Sequence, residues 1–409
     1  MSKGSSERSR IDPRKAGSAL VFSVIQQQAP VARIDIAKET GLSPATVTSI
    51  TADLLNRGLV SEIQTLSEQS SGRRGRPRVD LKVRGDAHLV AGLKLSDKLA
   101  SVVLMDFEGN RISDYVATPP KPVLTPDQAT EFLHETLVAA LAGEGLSLTD
   151  LSAIGLGMPG LIDATDGIVH WSPGISERNV AFESQLFKRL GVPVFIDNDA
   201  NMIAKAEQMY GEGRNVQNFI VVTVEQGVGM GIVVNGQLYR GTKGRAAELG
   251  HTKVHLDGAL CRCGQRGCLE AYVGDYALLR EAATARVAVE GEDPMTQMKS
   301  LFQAADTGND MARSIILRSG RMFALGLGNI VNIFAPELII LSSERMEHNK
   351  VYTDAVINEM RQSIVQIGGP APEVQLHKWD VHMWALGAAA YAIDRVTEIA
   401  LMEMNVNAI

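Results

Sequence analysis

Glu248-Leu249-Gly250-His251, nine further residues, then Cys261-Arg262-Cys263-Gly264-Gln265-Arg266-Gly267-Cys268-Leu269-Glu270: the reading of this stretch decides the fold of the 409-residue chain. One imidazole and three thiols make the Cys3His set of a structural zinc site, in which protein fills all four tetrahedral positions and none is left for a catalytic water. The three cysteines are the only ones in the chain, so a reduced metal site is expected rather than a disulfide framework. The glycines allow tight turns between the ligands, and Arg262 and Arg266 are expected to favour the thiolate forms.

Around this stretch, strands alternate with helices. Leu89–Leu95 and Ser101–Phe107 read as strands joined at Glu108-Gly109-Asn110. A helix follows over Pro126–Ala142, then a strand over Ile154–Leu156. A second set runs from a strand at Val194–Ile196 through a helix at Ala200–Tyr210 to hairpin strands at Phe219–Val224 and Gly231–Val234. The pattern implies an α/β body with two similar lobes and a cleft between them. The most apolar segment, Phe323–Leu341, is broken by Asn329, Asn332, Pro336 and Glu337, so it reads as a buried helix and strand and no membrane insertion is expected. Asp197, Asn198 and Asp199 end a buried strand, where α/β folds place binding groups. The alternative is that Asp199 caps the helix that starts near Ala200.

The charge is polarised along the chain. Residues 1–84 hold fourteen Lys/Arg against eight Asp/Glu, or +6, within a net charge of −7, which leaves −13 for the rest. A basic unit on an acidic body fits an electrostatic footprint for nucleic acid at one end. Met1 to Lys15 is polar, with no apolar run behind it, so no secretory signal is read and a cytoplasmic location is expected.

Within the basic unit, Leu20, Val21, Val24 and Ile25 repeat at helical spacing over Ala16–Gln27. A second helix, Arg33–Thr40, is expected to bury Ile34 and Ala37 and to end at Gly41. Ser43 then caps a third helix with Pro44 in its first turn; Val47, Ile50 and Leu54 form the inner stripe and Gly58 ends it. Two helices joined by a Gly-containing turn make a helix-turn-helix, whose second helix places its first side chains in the major groove. Ser43, Ala45, Thr46, Thr48 and Ser49 are the candidates to meet DNA there. Leu59–Gln64 and Val79–Val83 alternate like paired strands around a loop, Gly72-Arg73-Arg74-Gly75-Arg76-Pro77-Arg78. That is the pattern of a wing, with Arg74 and Arg76 suited to a narrow minor groove.

The Glu-x-Gly-His and Cys-x-Cys-Gly-x-x-Gly-Cys-x-Glu string resembles the signature of the ROK family (repressors, open reading frames and sugar kinases). Combined with the winged helix, it resembles the repressor branch of that family. The resemblance implies an N-terminal winged helix-turn-helix at 1–84 and a two-lobed, actin-like sugar-kinase body. The small lobe would span 85–195, completed by C-terminal helices at about 385–409, and the large lobe with zinc site and sugar cleft would span 196–384. It further implies a sugar held by Gly160 of the turn Gly157-Met158-Pro159-Gly160, by Asn198, Glu248 and Glu270, and by His251, which would touch both zinc and sugar. Asp199 would be the base on a sugar hydroxyl in a kinase.

Family kinases carry an Asp-x-Gly-Gly-Thr phosphate loop; here that segment is Lys94-Leu95-Ser96-Asp97-Lys98. A second loop, Gly-Thr-Gly, reads Glu225-Gln226-Gly227, and a later Gly-Gly is Ser342-Ser343. Side chains on former glycines and added carboxylates oppose phosphate cradling. The expectation is therefore a regulator without catalytic residues, Asp199 being a vestigial base. It would bind an operator as a homodimer or homotetramer, one structural zinc per chain, under control of a sugar or sugar phosphate. The alternatives are a sugar kinase with an appended DNA-binding domain, or a repressor controlled by sequestration on a transport protein.

Overall fold

The C-terminal helix, Met383–Val406, lies along a five-stranded sheet at van der Waals distance because both surfaces are stripped of side chains where they meet. A Cβ on Gly92 would come within 1.9 Å of the Ala385 carbonyl oxygen, and one on Gly155 within 1.9 Å of the Ala388 carbonyl oxygen. Ala385, Ala388, Ala389 and Ala392 on the helix are fully buried in return. The computed structural model describes residues 13–64, 79–291, 293–342, 350–365, 369–378 and 380–406.

That first sheet runs, in spatial order, Val194–Asn198, Ala153–Met158, Leu89–Leu95, Ala100–Asp106 and Arg111–Ala117. The first three strands are parallel and the last two pairings antiparallel. Its other face is covered by helices Pro126–Gly143 and Phe182–Leu190. The strand Val194–Asn198 pairs along its whole length with Ala153–Met158, so a lobe boundary at 195/196 cuts through a strand. The strand ends at Asn198, where the helix Asp199–Tyr210 begins. One helix, not several, completes this lobe at the C-terminus.

The second sheet repeats the plan in the order Gln237–Leu238, Val228–Val234, Phe219–Val224, Leu338–Ser342 and Glu373–Leu376. Helices Asp275–Thr284, Pro294–Asp306 and Asp310–Phe334 pack a large apolar core against it. The helix Asp199–Tyr210 touches the C-terminal helix on one side and Val228–Val234 on the other, so it stands between the two sheets.

The N-terminal unit has helices Pro13–Gln28, Arg33–Thr40 and Pro44–Asn56 and a three-stranded antiparallel sheet, Val31–Ala32, Val79–Val83, Val60–Gln64. Gly41 takes the left-handed cap at φ 68°, and the Ser43 hydroxyl accepts from the Thr46 N–H, a contact that stabilises a helix by about 1 kcal/mol. Val47, Ile50 and Leu54 are buried as the spacing requires. Two expected core residues are not core: Ile34 is 63% exposed and Leu20 45% exposed. The helix beginning at Arg33 turns Ile36 inward instead, and Phe22 fills the place assigned to Leu20. Phe22 meets Phe107 of the first lobe at 5.7 Å between ring centroids, and both belong to a cluster that includes Ile393 and Val396 of the C-terminal helix. Arg57 also donates to the Glu403 carbonyl at 3.0 Å. The helical head is thus packed onto the body rather than tethered to it.

Candidate functional site

The ligand atoms of His251, Cys261, Cys263 and Cys268 lie within 4.8 Å of one another. Cys263 Sγ and Cys268 Sγ are 3.7 Å apart, and Cys261 Sγ is 3.8 Å from His251 Nδ1. Tetrahedral zinc with ordinary Zn–S and Zn–N bonds has S···S edges of about 3.8 Å and S···N edges of about 3.6 Å. The donor set and its spacing therefore fit that ion. Gly264 and Gly267 take positive φ between the ligands, and a Cβ on Gly267 would meet the His255 carbonyl oxygen at 1.8 Å. The cation on the thiols is Lys253, whose Nζ donates to Cys268 Sγ at 2.9 Å. Arg262 stacks over the Tyr276 ring and Arg266 donates to the Gly258 carbonyl.

His251 joins this cluster to the cleft. Its Nδ1 faces Cys261, and its Nε2 lies 3.9 Å from Glu248 Oε2. Glu270 completes the rim: Oε2 accepts from the Val228 N–H, and Oε1 lies 3.4 Å from the Tyr276 hydroxyl. Burial raises the Glu248 carboxyl above the usual range, and the neighbouring charges of Glu270 and Asp199 push the same way against His251. Three acids thus face one space.

Across that space, the first sheet ends at Asn198. Its Oδ1 accepts from Ala200 N–H at 2.8 Å and its Nδ2 donates to the Gly160 carbonyl at 2.8 Å. Asn198 is the cap residue of the following helix, and Asp199 Oδ1 shares the Ala200 N–H at 3.0 Å. One Nδ2 proton and one Oδ1 lone pair remain for a ligand. Gly160 sits at φ 120° with the Trp171 carbonyl oxygen 2.2 Å from where a Cβ would be, so only glycine fits. Burial raises the Asp199 carboxyl, and Lys94 draws it back down.

The segments that would carry phosphate loops in a kinase turn their polar groups inward. In the turn after Leu89–Leu95, Ser96 Oγ accepts from both Lys98 N–H (3.3 Å) and Leu99 N–H (3.2 Å), while Ser96 N–H donates to the Leu99 carbonyl. Amides that could cradle an anion are spent inside the turn. Glu225 N–H likewise donates to the Gly227 carbonyl. Lys94 is buried, its Nζ 3.2 Å from the centroid of the Trp384 ring. Desolvation lowers its pKa, offset by the charges of Glu225, Asp199 and Asp97. Ser342 is buried at the end of its strand; Ser343 lies outside the described residues.

On the head, Ser43, Ala45, Thr46, Thr48 and Ser49 are all exposed. Arg74 and Arg76 lie outside the described residues, though Val60–Gln64 and Val79–Val83 pair as the two sides of the expected hairpin. No described helix is long and apolar enough to cross a membrane.

Sequence reasoning overlooked Lys94 and Arg240. Lys94 was noted only as a lost loop residue, although a lysine at the end of the apolar run Leu89–Leu95 is itself a signal of a buried cation. Arg240 carries no local pattern; only the fold shows that it bonds Asp197.

Residues 98–395 match the ROK family. The chain is 29% identical over 391 residues to the DNA-binding transcriptional dual regulator NagC of Escherichia coli (strain K12), covering 92% of each protein. It is equally similar, at 29% over 391 residues, to the xylose repressor of Bacillus spizizenii, covering 95% of this chain and 98% of that one. Among solved structures, a ROK family transcriptional regulator described as a homolog of the E. coli MLC protein superimposes with a TM-score of 0.79 at 25% identity, over 96% of this chain and 99% of that one. The ROK hexokinase of Thermus thermophilus superimposes with a TM-score of 0.66 at 29% identity, over 76% of this chain and 99% of that one. A likeness that spans the body with the kinase and nearly the whole chain with the regulators, joined to the His/Cys3 cluster beside the cleft, leads to one conclusion: the chain belongs to the ROK family.

Proposed function

We propose that the protein is a transcriptional repressor whose winged helix binds operator DNA and whose kinase-like body senses a sugar without phosphorylating it. The observation that carries this reading is the asymmetry of the cleft. Asn198, Asp199, Glu248, His251 and Glu270 converge as hydroxyl ligands, with the carbonyl side of Gly160 behind Asn198. The phosphate half, by contrast, has its amides bonded internally and a lysine ammonium in place. Phosphoryl transfer depends on positioning and neutralising phosphates, and here the amides of Ser96, Lys98, Leu99 and Glu225 are already bonded within their own turns. Asp199 is then a vestigial base that accepts a sugar hydroxyl.

His251, Cys261, Cys263 and Cys268 hold a structural zinc, which supplies a cross-link and fixes the His251 ring so that Nε2 can meet the ligand. Ser43, Ala45, Thr46, Thr48 and Ser49 meet the major groove, with Arg74 and Arg76 of the wing in the minor groove. Two chains or a multiple of two present paired heads to a palindromic site. Because the head packs on the C-terminal helix that also lines the first lobe, a change in lobe angle reaches the DNA contacts. The effector must bind one lobe arrangement better than the other.

The test is operator binding by the full-length protein in the presence of glucose, N-acetylglucosamine, xylose and their phosphates. A shift in affinity with one of them is expected; no change with any excludes a direct sugar sensor. The likeness to a hexokinase supports a second reading, a DNA-bound sugar kinase, and ADP release from ATP and magnesium with any of these sugars would establish it.

A further inference from the structure

We infer that Arg240 is a positioning residue that ties the two halves of the sugar site to each other, an inference that rests on reading this cleft as a sugar site. Arg240 follows the edge strand Gln237–Leu238 of the second sheet, and its carbonyl accepts from the Ala246 N–H at 3.2 Å. The loop so closed runs directly into Glu248 and His251. Its side chain crosses to the other lobe. Nε donates to Asp197 Oδ2 at 2.6 Å, and the guanidinium lies 5.1 Å from the ring centroid of Tyr391 on the C-terminal helix.

Asp197 is 1% exposed and stands at the end of the first sheet. Its other oxygen accepts from the Asn198 N–H at 2.7 Å and from Asn201 Nδ2 at 2.8 Å. The carboxylate held by Arg240 therefore fixes the peptide of Asn198, whose own side chain reaches Gly160. A continuous path leads from the loop carrying Glu248 and His251, through one ion pair, to the pair Asn198-Asp199. The loop itself leans on the first lobe: a Cβ on Gly244 would fall 1.9 Å from the Ile162 carbonyl oxygen. Arginine suits the task because its planar fork can bond a carboxylate through one edge while its face stacks on an aromatic ring, which an ammonium cannot do.

Removing Arg240 alone strands a buried carboxylate and destabilises the fold for that reason alone. The informative variant is Asp197→Asn with Arg240→Gln, which removes both charges together, leaves a polar group at each position and strands no buried carboxylate. On full-length, zinc-loaded protein we expect this double variant to melt close to the wild type. Its amides at 198–201 and 246–250 are expected to exchange with deuterium about tenfold faster, while the strand Phe219–Val224 stays protected. By calorimetry with glucose, N-acetylglucosamine and xylose, whichever of the three binds the wild type is expected to bind the double variant about tenfold more weakly.

Unchanged exchange at both segments, or unchanged affinity for a sugar the wild type binds, overturns the inference. Faster exchange with none of the three sugars bound by the wild type leaves Arg240 as the tether and removes the sugar-sensor reading instead.

Discussion

Two groups of side chains stand where the two sheets meet, one rich in acids and one that turns its polar groups on itself. On the proposed sugar side, Glu248 feels the charges of Glu270, Asp199 and His251, and Asn198 reaches Gly160. On the nucleotide side, Ser96 consumes the amides of its own turn and Lys94 places its ammonium against Trp384. Fold alone decides neither outcome. On the proposed reading, a few side chains at the ends of strands separate a sugar sensor from a sugar kinase.

The largest expected effect comes from the metal cluster that braces the sugar side. Cys263→Ser leaves an incomplete tetrahedron, and because binding energy of structural zinc is folding energy, stability should fall by on the order of 5 kcal/mol together with sugar response. Zinc content and thermal melting check this; full zinc and unchanged melting in the variant would contradict it. Next in size is Asp199→Asn. It replaces a charged acceptor by a neutral one of the same shape, and hydrogen bonds to charged groups contribute about 1.5–3 kcal/mol, so sugar affinity should fall about tenfold to a hundredfold. Zinc content should not change, which separates this residue from the brace.

Lys94→Met sharpens the comparison, because it removes that ammonium's charge and tests whether the two groups communicate. Burial raises the Asp199 carboxyl and Lys94 lowers it again. A carboxyl with a raised pKa is ionised only above that pKa, so sugar affinity should rise with pH through this window and be lost as pH falls. Without Lys94 the carboxyl climbs further, and the loss of affinity should begin at a higher pH. Calorimetric titrations across the acid range measure it, and superimposable pH profiles for the two proteins would show that Lys94 does not act on Asp199.

Much of this was legible from residues. The Cys3His set has the spacing of a metal site, and its ligand atoms do come within 4.8 Å of one another; strand-helix alternation marks the α/β body because buried parallel strands and amphipathic helices leave different periods. What stayed hidden was long-range. Asn198 shares the capping of the helix with Asp199 because the strand runs two residues farther than its apolar core, Val194–Ile196, suggests. Ile34 misled because a short helix offers too few turns to fix its phase, and the strand Val31–Ala32 before it sets the rotation. Arg240 and Asp197 are 43 residues apart, and no local pattern pairs them. Lys253 displaced the two arginines as the cation on the thiols for the same reason: the bridge from Lys253 to Cys268 exists only once the loop has closed.

The smallest expected effect lies on the head, where the comparison is between the recognition helix and the wing. Ser49 is exposed on the outer face of Pro44–Asn56, and Ser49→Ala removes one hydroxyl and no charge. Losing a single neutral hydrogen bond to DNA should weaken operator binding about fivefold, or about 1 kcal/mol. The salt dependence should be unchanged, since no phosphate-neutralising cation is lost. Arg76→Ala should instead weaken binding most at sites with a narrow A·T-rich minor groove and lower the salt slope by about one. Sugar affinity should be the same in both variants, because the proposed sugar ligands all belong to the body. Operator titrations at several salt concentrations, paired with sugar calorimetry, separate the two. A Ser49→Ala protein with lower sugar affinity and intact DNA binding would reverse the assignment of the head and the body.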